Sequence, residues 1–471
     1  MMRASLSGRA APFLGFAGFG VFWGAWGACL PLLRAHAGVG DARFGVALLL
    51  VGAGALPAML LTGRLVDAVG LRVAGMLLAL LGVAGVVLCA VSSGYAGLCA
   101  GILAVGAGSG ATDVAINTLA ATGEKRTGRP VVARSHAAFS ATVAASSLAA
   151  GALAAATGSL LAAFTAAAVV VVALGTVVAA ATRSIPVRAG TAPDGDQAAA
   201  AQEAAGHRGE QADRAQGAAG HRDGQADRAQ GAAGHRDGQA DRAQGAAGHR
   251  DGQADGAAVR GEGGGRLPGR GVLLVVGGVG ALAFAAENAF QTWAAVLLTD
   301  AFAASPALAA VAPAAFATTA ALARLAGGPV MLRRPIATMV TAGLIATAGS
   351  VLTAVAPSLP LALAGVVAAA LGTATLFPTL LSYGLRPVPD AFRGRATSAI
   401  STVAYLGFLA GPAYFGLLAD AGGVQRAFLG VAALTGLLLA AVPVLPRLRR
   451  PEPITPRRTR PDARPSASSG P

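Results

Sequence analysis

From Ala11 onward the chain is written as apolar runs of helix length, separated by short polar or glycine-bearing breaks. One longer hydrophilic stretch, from about Thr182 to Arg270, interrupts the pattern. About 20 apolar residues suffice for a helix to span a bilayer. The runs predict helices over 11–33, 43–62, 71–91, 95–119, 131–156 and 160–181, and then over 271–298, 307–331, 336–356, 359–384, 394–419 and 424–445. Stretches such as Met76 to Val91 and Val351 to Leu371 are apolar on every face, unlike barrel strands of alternating polarity. The first run is too long for the apolar core of a signal peptide, and eleven more follow it. The expected fold class is an all-α polytopic membrane protein, with twelve transmembrane helices in two six-helix bundles over 1–181 and 271–446. Breaks as short as Ser92 to Gly94 and Thr157 to Ser159 make successive helices antiparallel neighbours.

Composition agrees with this reading, since 54% of the residues are hydrophobic and only 12% charged, with a mean hydropathy of +0.61. The formal charge of +14 raises nucleic acid as a partner, but the cations are distributed as a membrane protein distributes them. They gather at Arg3 and Arg9, Arg64 and Arg72, Lys125 to Arg134, Arg333 and Arg334, Arg386 to Arg395, and in the tail from Arg447. The loops between those positions hold little beyond Arg34, Arg43 and Arg426. By the positive-inside rule this places both termini and the central stretch in the cytoplasm of a cell (inner or plasma) membrane protein, and leaves the lipid bilayer, not nucleic acid, as the large partner. The basic tail is suited to anionic head groups. Cys29, Cys89 and Cys99 lie in or beside apolar sequence without metal spacing and read as packing residues.

The 182–270 segment carries a fourteen-residue repeat, Ala-Ala-Gly-His-Arg-Asp-Gly-Gln-Ala-Asp-Arg-Ala-Gln-Gly, from Ala204 onward. Its histidines (His207, His221, His235, His249) suggest metal binding, but three glycines per copy oppose a persistent helix. The expectation is a disordered linker enlarged by duplication, with no metal, and a disordered cytoplasmic tail over 447–471.

Between the second and third runs the chain reads Gly63-Arg64-Leu65-Val66-Asp67-Ala68-Val69-Gly70-Leu71-Arg72. It resembles the signature loop of the major facilitator superfamily, Gly-x-x-x-Asp-(basic)-x-Gly-(basic)-(basic), through Gly63, Asp67, Gly70 and Arg72, while Ala68 and Leu71 stand where basic residues are usual. Glycines suit a tight reversal, and an acid suits the N-terminus of the following helix. The resemblance implies a twelve-helix carrier of two repeats, with this loop as a cytoplasmic latch. Ala323-Arg324-Leu325-Ala326-Gly327 echoes the loop in the second half, so Arg324 answers Arg64, and Arg324 is expected to snorkel to the cytoplasmic surface.

Three further stretches resemble the rhizopine-transporter (MosC-type) branch: Asp113-Val114-Ala115-Ile116-Asn117 with Glu124 and His136-Ala137-Ala138-Phe139-Ser140; Glu287-Asn288-Ala289-Phe290-Gln291-Thr292-Trp293; and Tyr405 to Pro412. Asn288 and Thr292 replace that branch's usual Gly and Asp.

An ionisable group inside a membrane helix is costly and marks a cavity or a partner. Glu287 is the deepest acid, with Gln291 one turn later on the same face and Asn288 and Trp293 nearby. An acid withdrawn from water is suited to proton exchange, so coupling or substrate contact is set against a structural hydrogen-bond cluster. Asp113 and Asn117, spaced i to i+4, fall in the cytoplasmic half of the expected fourth helix, and are assigned with Arg134 or His136 to an inner gate, with direct ligand contact as the other reading. Phe22, Trp23 and Trp26 offer an aromatic wall for a substrate, or lipid-facing rings. Pro378, and Gly407, Gly411, Pro412 and Gly416, would thin or kink the tenth and eleventh helices. The fifth helix reads Ala145 to Gly151 without proline, whereas drug antiporters of the superfamily usually carry Gly-Pro there.

Together these features predict a secondary transporter of a small solute working by alternating access, driven by protons through Glu287, with no cofactor and no obligate protein partner. Export of amphipathic drugs or metabolites is the competing reading. Nothing points to an enzyme, because clustered catalytic acids, a metal-spaced histidine set or a Ser/Lys pair are not found within the runs. A receptor or sensor is the remote alternative.

Overall fold

The structure, a computed structural model, describes residues 2–183 and 270–447. The linker repeats and the basic tail expected from the sequence lie outside the described residues. The helices are α1 (Met2–Ala37), α2 (Asp41–Val69), α3 (Val73–Val91), α4 (Tyr95–Thr127), α5 (Val131–Thr157), α6 (Leu160–Thr182), α7 (Arg270–Phe302), α8 (Val311–Arg333), α9 (Pro335–Val355), α10 (Leu359–Leu385), α11 (Asp390–Gly422) and α12 (Val424–Ala441). A helical turn at Pro306–Ala309 leads into α8, and no strand occurs among the described residues. Among the described residues, twelve helices are long and apolar enough to cross a membrane.

Packing repeats between the halves. In the first half α1 packs on α5 and α6, α2 on α4, and α3 on α4 and α6; in the second α7 packs on α11 and α12, α8 on α10, and α9 on α10 and α12. Each pairing recurs six helices later, the arrangement of a parallel repeat. Glycine sets how closely these helices approach. A Cβ on Gly106 would collide with the Val51 backbone, and one on Gly349 would come within 2.5 Å of Ala369 N. Lipid supplies no hydrophobic drive between helices, so such close backbone approach carries the packing. The outward surface is apolar, as at Leu60, Val169, Leu322 and Leu437.

Several helices outrun their expected ends, because a helix continues until something stops it. α4 passes through Glu124, Lys125 and Arg126 and stops at Gly128, whose φ of 62° gives a left-handed cap. Asp113 therefore sits near the middle of α4, not in its last third. α2 likewise runs through Gly63 to Asp67 and turns at Gly70, with φ 89°. Asp67 thus belongs to the last turn of α2 and not to the N-terminus of α3, and both Gly63 and Asp67 are exposed. Arg72 provides the backbone just ahead of α3.

One end of the bundle carries the α1–α2, α3–α4 and α5–α6 connections and is poor in arginine; the opposite end gathers Arg64, Arg72, Lys125, Arg126 and Arg129. The halves meet through α2 with α11 and α5 with α8. At the arginine-poor end they share one apolar core, in which Phe44 of the first half meets Trp293 edge-on at 5.8 Å and Trp293 stacks on Phe415 at 5.0 Å. Towards the other end the second half has a core of its own, built on Leu273, Val276, Phe377, Leu380 and Ile400.

Candidate functional site

Among the described residues the buried charged side chain of the second half is Glu287, at the middle of α7 and 5% exposed. Its Oε1 accepts from Arg324 Nη2 of α8 at 2.6 Å and from Gln291 Nε2, one turn along α7, at 3.1 Å. Arg324 also donates through Nε to the Ala374 carbonyl of α10 at 3.1 Å. Its expected snorkel to the surface is corrected. The carboxylate lies within reach, and a cation in the membrane gains more from that partner than from stretching towards water. The side chain keeps 46% exposure, so the pair has a dry face at Glu287 and an open one at Arg324.

The first half contributes Asp113 and Asn117 on α4 and His136 on α5. Asn117 Nδ2 donates to Asp113 Oδ1 at 3.1 Å and to the Asp113 carbonyl at 2.9 Å. Neither Arg134 nor His136 bonds to Asp113, so the expected gate network does not form in this state. His136 instead sets its ring edge-on to Phe16 of α1 at 4.6 Å and lies within electrostatic range of Arg324. Tyr405 of α11 lies within range of both Asp113 and Glu287. Polar groups from α4, α5, α7, α8 and α11 therefore border one space between the halves.

Asn288 and Trp293 turn away from it, each for a geometric reason. Asn288 is one residue from Glu287, about 100° around the helix, and donates to the Phe408 carbonyl of α11 at 2.5 Å while accepting from Thr292 Oγ1 at 3.0 Å. Trp293, six residues on, is fully buried in the shared apolar core. It closes the arginine-poor end and does not line the polar space. Trp26 is buried and Trp23 half-buried, and the two rings meet edge-on at 5.8 Å. Phe16 and Phe19 extend this stripe, Phe19 packing on Trp23 at 6.2 Å and on Phe139 at 5.7 Å. The spacing 16, 19, 23, 26 marks one helix face, a signal legible in the sequence that singling out Phe22, Trp23 and Trp26 missed.

A second feature also escaped sequence reasoning. Arg34 of α1 pairs with Asp41 of α2 and, across the halves, with Asp300 of α7 at 2.5 Å. These residues and Asp420 border a recess of about 480 Å³ at the arginine-poor end. Between α5 and the second half, Ser147 donates to the Ala310 carbonyl at 2.9 Å. A lone arginine in an arginine-poor loop was the available clue. The described residues contain no group of three or more His, Cys, Asp or Glu placed to hold a metal ion.

With this geometry in view, the comparisons with known proteins agree. Residues 276–469 match the family model described as Major Facilitator Superfamily. An uncharacterised transporter of Sinorhizobium fredii, y4wD, is 37% identical over 148 residues, 30% of this chain and 37% of that protein. An uncharacterised major-facilitator-type transporter of Yersinia pestis is 32% identical over 145 residues, 30% of this chain and 36% of that protein. The matched stretch thus spans little more than a third of either relative. Among solved structures, a bacterial homologue of the human lysosomal transporter Spinster, inward-facing and occupied, superposes with TM-score 0.62 at 13% identity, covering 93% of this chain and 96% of that one. The nucleoside transporter NupG gives 0.62 at 14% identity, covering 94% and 98%. At such identities the likeness is one of fold. The twelve spans describe a multi-pass membrane protein, and its residues 276–469 are similar to the major facilitator superfamily.

Proposed function

We propose that this protein is a secondary transporter that carries a small solute across the cell membrane by alternating access, coupled to protons through Glu287. The observation that carries the reading is the pair of Glu287 with Arg324, set at mid-helix depth, with His136 of the other half within range of Arg324. Proton transfer to Glu287 removes the charge that holds Arg324, which frees the guanidinium to take other partners and changes what the two halves offer each other. A proton drives the cycle only through its unequal affinity for the two conformations. The shared core and the Arg34 to Asp300 pair at the arginine-poor end fit a state closed on that side. With the arginine-rich end in the cytoplasm, this is the inward-facing state, and the Gly63, Asp67, Gly70 and Arg72 segment is the latch left open.

The resemblance of the stretches around Asp113, Glu287 and Tyr405 to the rhizopine-transporter branch supports a polyol-like solute as cargo. The aromatic stripe of α1 favours a second reading, export of an amphipathic compound. The test uses proteoliposomes holding the full chain under an imposed pH gradient, with candidate solutes first chosen by the rise in melting temperature that ligands confer. Gradient-driven movement that falls at least tenfold in Glu287→Gln supports the proposal. Unchanged gradient-driven movement in that variant refutes coupling at Glu287, and binding without any movement would make the protein a sensor.

A further inference from the structure

The two mid-membrane carboxylates are not equivalent. Glu287 is neutralised by Arg324. Asp113 has only the Asn117 amide, and no cation is among the groups that act on it. The ionisable neighbours are otherwise engaged or remote: His136 lies against Phe16 and near Arg324, Tyr405 is neutral in character, and Arg134 stands exposed one turn from the start of α5. Asp113 is also deep. Twelve residues of helix separate it from Lys125, a rise of about 18 Å, in a hydrocarbon layer about 30 Å thick. An uncompensated carboxylate at that depth is costly and marks a place where a positive charge arrives.

The neighbouring helix supplies the rest of the site. Gly15 of α1 packs on Ile116 of α4, where a Cβ would lie 3.2 Å from the isoleucine side chain. The two helices run antiparallel, so four residues along α1 and three back along α4 bring Phe19 near the level of Asp113, with Trp23 beside it. A carboxylate beside aromatic faces is the combination that recognises an organic ammonium, through a charge-assisted hydrogen bond and cation–π contact. One carboxylate and one amide are too few ligands for a bare metal ion. An anionic cargo would have to displace Glu287 from Arg324.

We propose that the site takes a solute bearing a protonated amine, its ammonium on Asp113 and its body against Phe19 and Trp23. This deepens the transport reading above and rests on it. Asp113 is then balanced by cargo, and Glu287 by Arg324 or a proton.

The experiment places the full-length protein in nanodiscs and follows tryptophan fluorescence and thermal stability. The chain has three tryptophans, two of them on the α1 stripe. Two matched probe series differ only in charge: phenethylamine, 2-phenylethanol and 3-phenylpropionate; and glucosamine, glucose and glucuronate. In at least one series the amine binds about tenfold more tightly than its neutral and anionic counterparts. Asp113→Asn removes that preference and Asp113→Glu keeps it, which separates lost recognition from lost folding. Gradient-driven movement in Glu287→Gln reports on the coupling proposal, and the charge preference of the unaltered protein in the two probe series reports on this one, so failure of either reads out by itself. Equal binding across each series, a preference surviving in D113N, or no binding by any of the six probes overturns the inference.

Discussion

Removing one member of the Glu287 to Arg324 pair costs different amounts depending on which member is removed. In Arg324→Gln the Glu287 carboxylate stays 5% exposed with only the Gln291 amide at 3.1 Å. Breaking an enclosed ion pair costs about 3–5 kcal/mol, and a central membrane acid costs about 2.5–3.5 kcal/mol on insertion scales. The 46% exposure of Arg324 means that solvent already screens its side of the pair, so R324Q is expected at the lower end, about 2–3 kcal/mol. Glu287→Gln leaves a cation that is half in solvent, still bonded to the Ala374 carbonyl, and a glutamine able to accept from it. That variant should lose only about 1 kcal/mol. The double variant buries no charge and should lose about 1–1.5 kcal/mol, giving a coupling energy near 2 kcal/mol. The measurement is a double-mutant cycle by denaturant titration in mixed micelles, followed by far-UV circular dichroism. Additivity within about 0.5 kcal/mol, or a larger loss in E287Q than in R324Q, would refute the account of the pair as a dry acid with a wet partner.

Two other perturbations test the helix contacts. Gly106→Ala pushes α4 off Val51 within one half and should lower unfolding stability by about 1–3 kcal/mol, whereas Gly151→Val meets Ala310 of the other half and should wedge the arginine-poor end open. In a background without native cysteines, Ser147→Cys should then react with an aqueous maleimide several-fold faster when G151V is present, and equal rates would count against closure at that end. Asn288→Ala loses the bond to the Phe408 carbonyl and should cost about 1–2 kcal/mol while leaving ligand selectivity alone; altered selectivity with intact stability would return Asn288 to the binding space.

Twelve spans and an all-helical fold were legible in the residues themselves, because a membrane punishes any polar break and each span must therefore be written as an uninterrupted apolar run. The candidate side chains Glu287, Gln291, Asp113 and Asn117 stood out for the same reason, as polar residues where lipid forbids them without cause. Local pattern also implied the i to i+4 bonds of Glu287 with Gln291 and of Asp113 with Asn117. It did not place the ends of α2 and α4, since polar residues such as Asp67 and Glu124 continue a helix as readily as they end it, and only the positive φ of Gly70 and Gly128 stops the chain.

What the tertiary structure decided was partnership. Arg324 and Glu287 lie 37 residues apart, and whether an arginine near a helix end turns outward or inward depends on which helix stands opposite. Trp293 and Gln291 are two residues apart, yet one seals the apolar core between the halves and the other serves the acid. Arg34 is linked to Asp300 across 266 residues, a separation no local pattern spans. Apolar runs are a property of the chain against its solvent and can be read from one dimension; ion pairs and aromatic contacts are properties of faces brought together, and those faces are set by how the helices pack.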